Sequence, residues 1–67
     1  MKTIEYKCSL FTDTITYDLI QHQPNESFQL YHGNKLIGSV IKVGDKCVQV
    51  GGREMSEAML TEICKLI

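Results

Sequence analysis

Apolar and polar residues alternate one by one through most of the first fifty positions, and then the period changes. From Lys2 to Leu10, the residues Ile4, Tyr6, Cys8 and Leu10 interleave with Thr3, Glu5, Lys7 and Ser9. Such period-two spacing predicts a strand with one buried side. Four further runs follow: 14–22 with Ile15, Tyr17 and Leu19; 27–32 with Phe28 and Leu30; 36–43; and 46–50. Turn chemistry separates them. Thr12-Asp13 is a turn in which Asp bonds its own backbone, and Gln23-Pro24-Asn25-Glu26 carries Pro at the second position of a type I turn. Gly33-Asn34 and Gly44-Asp45 are two-residue hairpin signals.

From Met55 the spacing becomes helical. At about 100° per residue, Met59, Leu60, Ile63, Cys64, Leu66 and Ile67 gather on one side, with Glu57, Thr61, Glu62 and Lys65 opposite. Ser56 is the expected N-cap, and Met55 and Leu60 stand at the staple positions on either side of it. A helix over 56–67 is too short to persist alone in water and needs an apolar surface beneath it. The strands supply one.

The expected fold is therefore α+β: a five-stranded antiparallel β-meander with one C-terminal helix packed on one face, a single domain over 1–67. A sheet curled into a half-barrel, with the helix across its mouth, is the alternative. Pairing outward from each turn joins Leu10 to Ile15, Leu19 to Leu30, Leu30 to Ile37 and Ile41 to Val48. It gathers Ile4, Tyr6, Cys8, Leu10, Ile15, Tyr17, Leu19, Phe28, Leu30, Ile37, Ile41, Val43, Val48 and Val50 on the helix side, a set that a one-residue slip would scramble.

Composition narrows the functional classes. The 67 residues carry a formal net charge of −1 with a pI of about 6.0, and the lysines are scattered rather than blocked. A phosphate-driven nucleic-acid binder ordinarily carries a basic surplus, so nucleic acid is disfavoured as a partner. No apolar run approaches the roughly 20 residues that span a bilayer, and the charged N-terminus lacks a secretory core. A cytosolic protein without a membrane partner is the expectation.

Candidate chemistry is sparse. Cys8, Cys47 and Cys64 are odd in number and widely spaced, unlike a disulfide framework or a zinc site. Cys47 falls on the outer face opposite Lys42 with no histidine partner. His32 falls level with Tyr17 on the helix side and His22 on the reverse, which separates them as metal ligands. Gly51-Gly52 precedes the helix without the residues of a phosphate loop. No catalytic residue, cofactor or metal is expected.

What remains is the sheet face away from the helix. Tyr31, Leu36, Val40 and Ile20 form an apolar cluster there, bordered by Gln29 and Asp18. Lys7 is expected opposite Asp18, and the first strand is a long edge blunted only by Lys2, Glu5 and Lys7. Exposed apolar patches and free strand edges both favour association. The expected function is a non-enzymatic interaction module that self-associates or binds a protein partner through this face or an edge strand. Binding of a small ligand or single-stranded nucleic acid on the same face is the alternative.

Overall fold

A computed structural model describes residues 1–67. Five strands, β1 (Lys2–Cys8), β2 (Ile15–Gln21), β3 (Phe28–His32), β4 (Lys35–Val43) and β5 (Lys46–Gly52), precede one helix, α1 (Glu57–Leu66). The strands form one antiparallel sheet in the order β1-β2-β3-β4-β5. The sheet stays open: β1 and β5 do not pair, and α1 lies across one face in contact with both.

The β1–β2 connection is longer than a two-residue turn. Strand β1 stops at Cys8, and Leu10 and Phe11 project from the loop with about half of each side chain exposed. Cys8 consequently pairs with Ile15 and Tyr6 with Tyr17. The offset from the expected register is two residues, which preserves the face but places Glu5, not Lys7, opposite Asp18. In the β2–β3 turn Glu26 N donates to Gln23 O at 3.2 Å and Asn25 has φ 68°. Positive φ at the third position makes this a type II turn rather than type I.

The larger departure occurs in β4. Tyr31 pairs with Leu36 as expected, but Leu30 pairs with Gly38 and Phe28 with Val40. A bulge at Ile37 has inserted one residue, and side chains alternate from there in the opposite phase. Gly38, Val40 and Lys42 therefore face the helix, with Cys47 and Gln49 beside them on β5. Ile41, Val43 and Val48, expected on the helix side, lie on the bare face, and Val50 sits exposed at a second bulge. Val40, expected on the bare face, is 0% exposed in the core.

The bulge has a steric reason. A Cβ on Gly38 would fall 2.6 Å from Met55 Cε and 2.9 Å from Gly51 O, so β4 must present a bare backbone where Met55 enters the core. Gly52, at φ +84°, stands opposite Gly38 and packs directly on its backbone. The extra residue is anchored by Arg53 N, which donates to Ile37 O at 3.0 Å.

Gln49, inward on β5, shapes the connection into α1. Its Oε1 accepts from Met55 N at 2.8 Å, and its Nε2 donates to Gly51 O at 3.0 Å and to Arg53 O. Ser56 then caps the helix, its Oγ accepting from Met59 N at 3.2 Å. Met59 and Ile63 are buried, Leu60 and Ile67 pack at the margin, and Leu66 is exposed. Beneath them lie Tyr6, Cys8, Tyr17, Leu19, Phe28, Leu30, Val40 and Met55.

Candidate interaction surface

Alternation within the ladders builds the bare face row by row. One row runs Glu5, Asp18, Tyr31, Leu36, and the next runs Thr3, Ile20, Gln29, Ser39, Gly51. Beyond these stand the pairs Ile41–Val48 and Val43–Lys46. Tyr31, Leu36, Ile20, Gln29 and Asp18 thus share this face as expected from the sequence, while Val40 does not. Tyr31 Oη donates to Gln29 Oε1 at 2.8 Å, which fixes the ring along its own strand.

The face has two characters. Over β1 and β2 it is polar, with Thr3, Glu5, Lys7, Thr16 and Asp18; Lys7 Nζ reaches Glu5 Oε1 at 3.7 Å in an exposed pair. Over β4 and β5 it is apolar, and exposure decides its meaning: Leu36 51%, Val43 61%, Val48 48% and Val50 57%. These residues, with the half-buried Ile41, are large side chains in the position where an antiparallel sheet usually turns polar residues to water. Alternation carried straight through Gly38 turns Ile41, Val43, Val48 and Val50 toward the helix instead. A glycine inside a strand is the sign of a bulge, and applied there it would have turned Ile41, Val43 and Val48 outward.

Strand β5 is also a sheet edge. Its outer amides and carbonyls meet no other strand, and Lys46 is its one charged side chain. By contrast β1 carries Lys2, Glu5 and Lys7. Charges are the usual protection of an edge, and β5 has the lesser share.

Elsewhere the polar groups are occupied with holding α1. Tyr6 Oη donates to Glu62 Oε1 at 2.5 Å, bringing Glu62 inward from the side of the helix expected to face solvent. Burial, then Cys8 and Glu62, raise the Tyr6 phenol well above its ordinary range. Lys42 Nζ donates to Ile67 O at 2.9 Å. Cys47 lies beside Cys64; burial and that neighbour push its thiol up to about 12, against the opposing pull of Lys42. The His32 ring tilts against Tyr17 at 5.5 Å, and His22 is exposed. No three His, Cys, Asp or Glu side chains converge as metal ligands would. No helix is long and apolar enough to cross a membrane.

The chain matches no protein-family model, no curated protein and no solved structure.

Proposed function

We propose that this protein is a non-enzymatic interaction module that pairs with a second copy of itself through the bare face and free edge of β4–β5. The observation that carries the proposal is the cross-strand pair Ile41–Val48, flanked by Val43 on the face opposite the helix, with Leu36 and Val50 exposed farther along the same two strands. Removing apolar side chains from water contributes about 25 cal/mol per Å², so this cluster is a standing incentive to association.

Two considerations favour a second copy as the occupant. The molecule measures 33 × 24 × 19 Å, and a second copy brings a face of the same extent with its apolar part in the same place. A free antiparallel edge is also self-complementary about a two-fold axis, so two β5 strands satisfy each other without a third element. Single-stranded nucleic acid is less well served. Stacking on a sheet needs several rings and a cationic groove, and here Tyr31 is the one ring on the strand face, with Asp18 opposite it.

Analytical ultracentrifugation across a concentration series tests the proposal. A monomer–dimer equilibrium shifted about 100-fold toward monomer by Val48→Asp supports it. A wild-type monomer throughout the micromolar-to-millimolar range overturns it, as does a dimer indifferent to substitutions at Ile41, Val43 and Val48. Binding of a single-stranded oligonucleotide that weakens steeply with salt, without dimerisation, transfers the face to the alternative.

A further inference from the structure

The bulge at Ile37 also brings together two thiols that the uninterrupted alternation would place on opposite sides of the sheet. Cys47 occupies the helix-facing row of β5, opposite Lys42. Cys64 lies in α1, and both line one open cleft of about 440 Å³ between the β4–β5 hairpin and the helix. Cys64 Sγ donates to Asp45 O at 3.6 Å, which holds it over the hairpin two residues from Cys47. Both thiols are free and only half-buried, so both are open to a small reagent entering the cleft.

We propose that Cys47 and Cys64 are a dithiol site that reacts with low-molecular-weight disulfides and closes to an internal disulfide, locking α1 onto β5. The reaction balances as two exchanges. One of the two protein thiolates attacks a sulfur of the small disulfide, forming a mixed disulfide and expelling one small thiolate. The other protein thiol then gives up its proton and attacks the protein sulfur of that mixed disulfide, expelling the second small thiolate. Two protein thiols are oxidised to one disulfide, and one small disulfide is reduced to two thiols.

Burial and the neighbouring Cys64 raise the Cys47 thiol, and the Cys64 thiol is engaged with Asp45 O, so whichever of the two ionises first makes the opening attack. Cys8 takes no part, being 0% exposed in the core. Along the chain β5 leads to α1 through Arg53–Ser56, so the bond closes a loop that is free in the unfolded chain. The site is independent of the bare sheet face on the other side of β5.

The test uses oxidised glutathione as the small disulfide. The reduced protein is equilibrated with it in the native state, then denatured, alkylated and weighed intact. The expected product has lost two hydrogens, carries one alkyl group at Cys8, yields a Cys47–Cys64 linked peptide and melts roughly 10 °C higher than the reduced form. The Cys47→Ser variant is expected to accumulate a glutathione adduct on Cys64. Three alkylated thiols, separate stable adducts on Cys47 and Cys64, or chains linked to one another through these cysteines would overturn the proposal.

Discussion

Ile41 stands directly opposite Val48 on the side of the sheet that the helix leaves bare. The two side chains form an apolar rung beside Val43, and Val48 stands on the strand that is also a free edge. Val48→Asp is expected to weaken self-association by about two orders of magnitude, near 3 kcal/mol, because the carboxylate is desolvated in the dimer alone. Far-UV circular dichroism should stay unchanged, since Val48 is 48% exposed in the single chain. Val40→Asp, one position from Ile41, is expected to unfold the protein instead, since Val40 is 0% exposed.

Gly38 tests the bulge. Met55 Cε and Gly51 O leave no room for a methyl group there. Gly38→Ala is expected to destabilise the fold by about 1–3 kcal/mol through overpacking, seen as a lower urea midpoint. If Gly38→Ala leaves the midpoint unchanged, the close approach of β4, β5 and Met55 is mistaken.

The Tyr6–Glu62 hydrogen bond ties β1 to α1 and gives stability a pH dependence. The folded state raises the Tyr6 phenol above its ordinary value of 10.0, chiefly by burial. Folded protein therefore holds this proton more tightly than unfolded protein does. The contribution is complete below pH 10 and is lost as pH rises beyond it. Cys47, raised from 9.0 to about 12, acts with the same sign, so the decline starts near pH 9. Tyr6→Phe is expected to cost about 1 kcal/mol at neutral pH and to flatten the decline above pH 10 in thermal melts. An unaltered alkaline profile in that variant would assign the dependence elsewhere.

The helix depends on its cap and on one buried side chain. Ser56→Ala removes the acceptor for Met59 N and is expected to cost about 1 kcal/mol. Ile63 is 0% exposed over the sheet, and Ile63→Ala is expected to cost about 2–5 kcal/mol, a large share of the stability of so small a domain. Urea unfolding of both variants measures the difference between cap and core.

Much of this architecture can be read along the chain. The five strands, their meander order, the helix and its Ser56 cap all follow from local signals: alternation, turn residues and helical spacing. The even pairing of Leu19 with Leu30 follows as well, because the turn between them has the expected length. The β1–β2 register shifts by two without harm to the pattern, since a two-residue step returns each side chain to its own face.

The position of the bulge was decided by tertiary structure. Gly38 marks a place where β4 can bulge, yet β4 alone does not decide between Ile37 followed by an inward Gly38 and an uninterrupted strand with Ile41 and Val43 inward. The choice belongs to Met55, which is remote in sequence and fills the space that Gly38 leaves empty. One inserted residue then reverses the side chains from Gly38 to Gln49, moving Val40 into the core, Val48 to the bare face and Cys47 beside Cys64. Alternation determines which residues share a side within an unbroken stretch. Only packing across the sheet determines where a stretch breaks, and the candidate surface lies beyond that break.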